Sequence, residues 1–224
     1  MRKESKRYFL TAIVFLLAFA LWTALLLFVD VQAIGPRGSR VGFATLNGAF
    51  HRLAGTNMAL YTITDWLGLV PIGVAFAFGV LGLIQWIKRG SFFKVDKSIL
   101  ALGGFYLIVM GVYALFEFVV INRRPVLIDG YLEVSYPSST TLLVLCVSLT
   151  AMLQLKERIR VRALRLGVLV LIAAFTLFMV IGRVLSGVHW LTDIIGGVLL
   201  SAGLVMTYHA TLCLLHAEKS PETV

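Results

Sequence analysis

From Leu164 to Asp193 the chain reads LRLGVLVLIAAFTLFMVIGRVLSGVHWLTD. Its first part, Leu164–Leu185, is apolar almost throughout and is long enough for a membrane span, because a helix needs about 20 apolar residues to cross a hydrocarbon core. Its last part has an arginine in the final turn of that run, and a histidine and an aspartate just beyond it. The stretch therefore predicts a transmembrane helix that ends in ionisable residues.

Five further windows of the same kind accompany this one in the 224-residue chain. They are Phe9–Val29, Trp66–Ile87, Ile99–Ile121, Thr140–Leu155 and Thr192–Leu215. The composition agrees, since 59% of the residues are hydrophobic and only 14% are charged, against about 25% charged in a soluble domain. The runs do not alternate in polarity as barrel strands would. The sequence therefore predicts an all-α polytopic protein with six transmembrane helices in a single domain, residues 1–224.

The first window and the loop after it need separate interpretation. Basic residues precede Phe9–Val29, as in a signal peptide, but the apolar run exceeds the 7–15 residues typical of one. It is therefore read as a retained first helix. In the long connection Val31–Asp65, the semi-apolar stretch Val41–Leu53 predicts a short helix that lies at the membrane interface.

The net charge of +9 is unevenly distributed along the chain. Fourteen of the 20 basic residues lie in the N-terminus, in the loops after the second and fourth windows, and in the C-terminal tail. Cytoplasmic loops carry such an excess in membrane proteins, so both termini are predicted to be cytoplasmic. The charge is thus explained by topology, and nucleic acid is not expected as a partner.

Three short polar segments fall on the predicted outer side: Asn122–Pro125, Tyr136–Thr140 and Gly182–Asp193. Ionisable residues near the bilayer core are costly and are functional candidates by default. Any one of them alone is better explained as a helix cap or as an anchor to lipid phosphates. Their convergence on one membrane face favours a functional site.

The residue types in these segments suit phosphoryl transfer. His189 and Asp193 are four residues apart and would share a helix face, where a carboxylate can fix the imidazole tautomer and activate the ring as a nucleophile. Arg124 and Arg183 add planar guanidinium groups that match phosphate oxygens.

The same segments resemble the motifs of the type-2 phosphatidic acid phosphatase superfamily, which includes bacterial membrane lipid phosphatases and soluble vanadium haloperoxidases. Those motifs read Lys-x6-Arg-Pro, Pro-Ser-Gly-His and Ser-Arg-x5-His-x3-Asp. The residues present at matching positions are Arg124, Pro125, Pro137, Ser138, Arg183, His189 and Asp193. The third motif is the most specific of the three.

The resemblance implies a role for each matching residue. His189 would attack phosphorus and form a phosphohistidine, and Asp193 would orient its ring. The phosphoryl oxygens would be held by Arg124, Arg183, Ser138 and the backbone N–H of Ser139. Because arginines stabilise the charge, the resemblance implies neither a metal nor any other cofactor.

Two departures from the motifs affect the chemistry. Glu117 stands where the family has lysine, and it is expected to pair with Arg123 or Arg124. Thr140 stands where the family has the histidine that protonates the leaving group. Ser139 for glycine and Gly182 for serine are exchanges of small residues.

Three explanations for Thr140 remain open. The leaving group of a lipid diphosphate is itself a phosphate and needs no proton, which is the explanation preferred here. A replacement acid would be Glu133, Asp129 or Glu117. The third explanation is a weak or inactive enzyme.

These observations predict a lipid phosphatase of a bacterial plasma membrane with its site on the extracytoplasmic face. The expected partners are the bilayer and a lipid substrate, such as an isoprenoid diphosphate or a phosphatidic-acid-like lipid. A non-catalytic lipid-phosphate-binding protein and a lipid phosphotransferase are the alternatives. A transporter would need polar residues at mid-bilayer depth, and these windows hold almost none. The oligomeric state is not predicted.

Overall fold

The computed structural model describes residues 2–219 and contains eight α-helices in that range. They are α1 (Arg2–Phe28), α2 (Ala44–Ala54), α3 (Met58–Leu67), α4 (Leu69–Arg89), α5 (Lys97–Phe118), α6 (Ser139–Arg158), α7 (Arg162–Ser186) and α8 (Leu191–Lys219). Six stretches are long and apolar enough to cross a membrane, and α3 with α4 forms one of them. The predicted all-α architecture with six spans is confirmed. Met1 and residues 220–224, which the predicted domain includes, lie outside the described range.

The second span begins earlier than the sequence predicted. The window started at Trp66, but the helical region starts at Met58, where the Asn57 side chain accepts a hydrogen bond from the Leu60 amide. The helix is offset at Gly68 because Pro71, in the first turn of α4, cannot donate to a preceding carbonyl. The connection predicted to run to Asp65 is therefore wrong, since Asp65 lies inside α3.

Two other predicted boundaries also shift. The window Ile99–Ile121 overshoots, because α5 ends at Phe118 and the chain then turns toward Asn122. The short helix predicted at Val41–Leu53 is present as α2 (Ala44–Ala54). Its residue Asn47 is fully buried and hydrogen-bonds both the hydroxyl and the amide of Thr192, so α2 is fixed to the start of α8.

Helices α6 and α8 form the centre of the bundle. Half of the apolar window of α6 is buried, compared with 11% for α1. Gly196 and Gly197 on α8 allow a close approach, since a Cβ at these positions would overlap the Tyr136 ring and crowd the Ser138 carbonyl. The segment before α6 therefore lies directly on α8.

The six spans alternate in direction, so the bundle has two different ends. The motif end holds α2, the start of α3, the loop between α5 and α6, and the junction of α7 with α8. The basic end holds the α4–α5 and α6–α7 connections, together with the first residues of α1. Each end carries its own group of buried polar side chains.

Candidate functional site

The loop between α5 and α6 folds back on itself and brings Arg124 to the motif end. Isolated antiparallel bridges join Arg123 to Val134 and Ile128 to Tyr131. The Arg124 amide donates to the Glu133 carbonyl at 3.0 Å. This short ladder fixes the backbone from which the Arg124 side chain extends.

Ser138 caps the N-terminus of α6. Its hydroxyl oxygen accepts from the amide and hydroxyl of Thr141, and its own amide donates to the Asp193 carbonyl at 3.1 Å. Because the Ser138 hydroxyl only accepts hydrogen bonds in this cap, its own proton remains free to be donated. The first turn of α6 begins at Ser139, and its N–H groups form the positive end of a helix.

His189 lies in the short link before α8 and is almost fully buried, at 4% exposure. Its Nδ1 is 3.1 Å from the Ser135 carbonyl oxygen, and its Nε2 is 3.3 Å from Nη1 of Arg124. A carbonyl can only accept a hydrogen bond and a guanidinium can only donate one. Both neighbours therefore select the tautomer with the proton on Nδ1, which leaves the lone pair of Nε2 directed at Arg124.

Burial keeps this imidazole neutral. Removal from water lowers the pKa of His189 from 6.5 to about 4, with the positive charges of Arg124 and Arg183 acting in the same direction and Asp193 opposing them. A neutral ring at pH 7 is the form that can act as a nucleophile.

Asp193 is fully buried in the first turn of α8 and joins the segments of the site. Its Oδ1 accepts from the Asn122 amide group and its Oδ2 from the Trp190 amide, both at 3.0 Å. His189 Nδ1 is 3.7 Å from Oδ2, beyond the Ser135 carbonyl. The expectation that His189 and Asp193 share one helix face is wrong, because α8 begins only at Leu191. The sequence singled out neither Asn122 nor Ser135 for a role.

Two guanidinium groups face the site. Nε of Arg124 forms an ion pair with Glu133 at 2.9 Å. Arg183 is 1% exposed, and its Nη2 donates to Asp65, at 2.8 Å, and to the Thr140 hydroxyl. Nε and Nη1 of Arg183 are buried and have no hydrogen-bond partner in the described part of the chain. Buried polar groups rarely stay unsatisfied, so these donors are available to an anionic ligand.

Sequence reasoning missed two site residues on α3. The Tyr61 ring lies against both guanidinium groups, 5.7 Å from Arg124 and 5.0 Å from Arg183, measured from each guanidinium carbon to the ring centre. Asp65, one helical turn later, pairs with Arg183. An acid directly before an apolar window was the available signal, and it was interpreted only as the end of a loop.

Comparison with known proteins shows the family of this chain. The family model of the PAP2 superfamily matches residues 74–214. The chain belongs to the PAP2 superfamily. The resemblance inferred from the three motifs is thereby confirmed.

One solved structure is similar to this PAP2 chain over nearly its whole length. It is described as the crystal structure of the first transmembrane PAP2 type phosphatidylglycerolphosphate phosphatase from Bacillus subtilis. The similarity covers 96% of this chain and 99% of that one, with a TM-score of 0.52 and 18% identity. At that identity the likeness supports the shared fold. No curated protein sequence matches the chain.

Three residues named from the sequence lie apart from the histidine and the two guanidinium groups of this PAP2 site. Arg123 donates to the Leu132 carbonyl, and its own carbonyl accepts from Trp190. Glu117 is exposed on α5 and its neighbour is Tyr113. The expected pairing of Glu117 with an arginine is wrong, since within residues 2–219 Arg124 pairs with Glu133 instead. Asp129 is exposed at the turn of the loop.

A largely apolar groove leads from the site along α4, α5 and α6. It has a volume of about 490 Å³ and is lined by Asp65 and Thr140 at the polar end, and by side chains such as Ile72, Met110 and Leu143 along its length. Its mostly apolar lining suits a hydrocarbon chain, and both Asp65 and Thr140 at its polar end contact Arg183.

Potential metal ligands are not clustered in the described range. Between residues 2 and 219 no group of three or more His, Cys, Asp or Glu side chains is placed to hold a metal ion. The positive charges beside His189 come from guanidinium groups.

Proposed function

We propose that this protein is a lipid phosphatase that transfers the phosphoryl group of a lipid phosphate or diphosphate to His189 and then to water. The fold and family support a membrane lipid phosphatase in general. The specific mechanism rests on one observation. A buried, neutral His189 has its Nε2 lone pair next to Arg124, in a site where Arg183 also has unpartnered donors.

In the first step, Nε2 of His189 attacks phosphorus. A bond forms between Nε2 and phosphorus while the bond from phosphorus to the leaving oxygen breaks, and its electron pair leaves with that oxygen, which is the bridging oxygen of a diphosphate or the lipid oxygen of a monophosphate. The negative charge that spreads over the phosphoryl oxygens is stabilised by Arg124 and Arg183, in a site shielded from water. The proton stays on Nδ1, which donates a hydrogen bond to the Ser135 carbonyl oxygen, and the Asp193 carboxylate nearby stabilises the ring as it becomes positive.

In the second step, water attacks the phosphohistidine. A new bond forms between the water oxygen and phosphorus, and the bond to Nε2 breaks with its electron pair returning to the ring. The product leaves as dihydrogen phosphate, which carries both protons of the water, and the imidazole returns to its neutral form. The second step uses the same guanidinium groups, since the charge develops on the same oxygens. These steps require no metal ion.

The identity of the leaving group follows from Thr140. Its hydroxyl accepts from Arg183 and cannot supply a proton as readily as a histidine in this place. A lipid diphosphate releases a lipid phosphate, which is stable as an anion near pH 7, whereas a lipid monophosphate must release an alcohol. We therefore favour a diphosphate such as an isoprenoid diphosphate.

The groove supplies the rest of the substrate site. A lipid tail in the groove between α4, α5 and α6 would bring its phosphate to Arg183 and Thr140, and the substrate would enter laterally from the bilayer. The distribution of basic residues supports cytoplasmic termini, so the site would face the outer leaflet of the plasma membrane.

A second candidate is a non-catalytic protein that binds lipid phosphates. Thr140 favours it, because it removes the usual acid, and so does Glu117, which places a carboxylate where the family has a cation. The neutral, oriented His189 favours the enzyme, since binding alone needs no nucleophile.

The test measures release of inorganic phosphate by the purified full-length protein in detergent, with EDTA present. Isoprenoid diphosphate and phosphatidic acid are offered separately. The proposal expects release that falls by about 10³-fold or more in His189→Ala, and a labelled, acid-labile phosphoenzyme in the wild type. A matched His209→Ala variant, changed on α8 toward the basic end, should keep wild-type activity.

Three results would each overturn a stated part of the proposal. No phosphate release from either lipid would support the non-catalytic candidate. Activity that survives in His189→Ala would exclude the phosphohistidine. Activity that disappears with EDTA and returns with added Mg²⁺ would contradict the metal-independent steps.

A further inference from the structure

Helix α3 contributes two side chains to the site from outside the matched family segment. The family model begins at residue 74, whereas α3 spans Met58–Leu67. Tyr61 and Asp65 are separated by one turn on this helix and therefore lie on the same face. That face is turned toward Arg124 and Arg183.

The Tyr61 ring contacts both site arginines. The guanidinium carbons are 5.7 Å and 5.0 Å from the ring centre, both within the range of a cation–π contact. Two like charges close together repel each other, and the electron-rich face of an aromatic ring offsets part of that repulsion. One half-buried side chain thus contacts both groups that would bind the phosphoryl oxygens.

Asp65 holds one specific nitrogen of Arg183. Its Oδ1 accepts from Nη2 at 2.8 Å, and the Thr140 hydroxyl accepts from the same nitrogen. The remaining nitrogens, Nε and Nη1, are buried without a partner. With Nη2 anchored, the plane of the guanidinium is fixed, and Nε and Nη1, which point to different sides of it, can each donate a separate hydrogen bond to an anion.

The packing of α3 on α7 fixes where Tyr61 and Asp65 lie relative to Arg183. Gly182, directly before Arg183, lies so close to the Thr64 methyl group that a Cβ at Gly182 would overlap it. At the start of α3, the Asn57 amide donates to the Ser186 carbonyl at 2.9 Å. Thr64, which lies between Tyr61 and Asp65 in the sequence, is fully buried. Its contact with Gly182 fixes the position of α3 along α7, and with it the positions of Tyr61 and Asp65 relative to Arg183.

We propose that Tyr61 and Asp65 are positioning residues that set the Arg124 and Arg183 guanidinium groups for a lipid phosphate. The inference rests on the proposed function for its substrate. It is testable without turnover, because the arrangement of the two arginines also governs the binding of inorganic oxyanions.

The first experiment compares Tyr61→Phe, which keeps the ring, with Tyr61→Leu, which removes it. Tyr131→Leu is the matched control, since Tyr131 is an exposed tyrosine in the motif-end loop. The readouts are kcat and KM for phosphate release and the inhibition constant of orthovanadate, which mimics five-coordinate phosphorus. Tyr61→Leu should lower kcat/KM and weaken vanadate inhibition by about tenfold. Tyr61→Phe and Tyr131→Leu should stay within about twofold of the wild type.

The second experiment uses Asp65→Asn, with binding of inorganic phosphate to the detergent-solubilised protein measured by calorimetry. If Asp65 is a positioning residue, Asp65→Asn should lower kcat and weaken phosphate binding, each by about tenfold. Asp65→Glu, which keeps the carboxylate, should restore part of both. If the Asp65 carboxylate instead competes with phosphate for Arg183, Asp65→Asn will bind phosphate more tightly. That result would overturn the proposal.

The outcomes separate this inference from the proposed function. If the wild type releases no phosphate but Asp65→Asn and Tyr61→Leu both weaken oxyanion binding, the positioning role stands and the enzyme assignment fails. If the wild type is active and Tyr61→Leu equals Tyr131→Leu in kcat/KM and vanadate inhibition, the positioning role of Tyr61 fails. Should Tyr61→Leu not fold, Tyr61→Phe takes its place, and a tenfold loss in that variant would assign the effect to the hydroxyl and contradict the role of the ring.

Discussion

The two ends of the bundle contain arginine networks that are satisfied to different degrees. At the basic end, Arg158 donates to Gln154 from Nε and Nη2, to Asp96 from Nη1 and to the Ser98 hydroxyl from Nη2. Asp96 in turn accepts from Arg89 and from Gln85. At the motif end, the more deeply buried Arg183 keeps two nitrogens without a partner.

The contrast separates a polar network that holds helices together from one prepared for a ligand. Each hydrogen bond within a closed network adds roughly 0.5–1.5 kcal/mol of stability. An unsatisfied buried donor costs free energy, which the protein recovers only when an anion binds. By this reasoning, the hydrogen bonds at the basic end hold α5 against α6. The motif end is less stable than it would be with all donors paired, and it keeps those donors for a ligand.

Matched lysine substitutions test this contrast most directly and have the largest expected effect. Arg183→Lys keeps the charge but loses the planar guanidinium with its free Nε and Nη1 donors, so phosphate release should fall by about 10²-fold. Arg158→Lys should leave kcat/KM unchanged and lower the apparent melting temperature in detergent. Its expected cost is about 1–3 kcal/mol, because two partly buried hydrogen bonds to Gln154 are lost. Equal losses of activity in the two variants would remove the distinction between the ends.

The sequence was sufficient to predict the six-span architecture, because each membrane span requires a long run of apolar residues. It also singled out Arg124, Arg183 and His189, because ionisable residues stand out at the ends of apolar runs. It could not identify Tyr61, since an aromatic residue near a membrane interface is common and its contact with two arginines exists only once α3 packs on α7. It also missed Ser135, whose contribution is a backbone carbonyl and is independent of its side chain.

Acid should destabilise the motif end through His189. The pKa of this residue is lowered from 6.5 to about 4 in the folded protein, so between those values the unfolded chain binds the extra proton and the folded one does not. Stability is therefore lost as the pH falls from 6.5 toward 4, by about tenfold or more in the folding equilibrium.

The measurement compares melting curves of wild type and His189→Gln across pH 4–7. Glutamine stays neutral throughout, so the wild type should lose stability relative to His189→Gln on the acid side and run parallel to it above pH 6.5. Parallel curves over the whole range would show that His189 titrates normally and is not buried as described.

Thr140→His restores the family's residue at the polar end of the groove. If the missing acid limits substrates with poor leaving groups, hydrolysis of phosphatidic acid should rise by about tenfold while hydrolysis of isoprenoid diphosphate stays constant. Equal gains on both lipids would count against the leaving-group explanation. The variant also sharpens the comparison of the two ends, because removing the Thr140 hydroxyl takes away one of the acceptors of Nη2 of Arg183.

Glu133→Gln should have the smallest effect and tests whether the Arg124 counter-charge is structural or catalytic. The Glu133 carboxylate is 44% exposed and lies 2.9 Å from Nε of Arg124, so solvent screens the pair and its loss should cost little stability. With the negative charge removed, Arg124 should bind a dianionic phosphate more tightly, which lowers KM by about threefold and leaves kcat unchanged. A fall in kcat of about 10²-fold on phosphatidic acid alone would instead identify Glu133 as the replacement acid. The Glu133 carboxyl group would then donate the proton to the leaving group, in addition to pairing with Arg124.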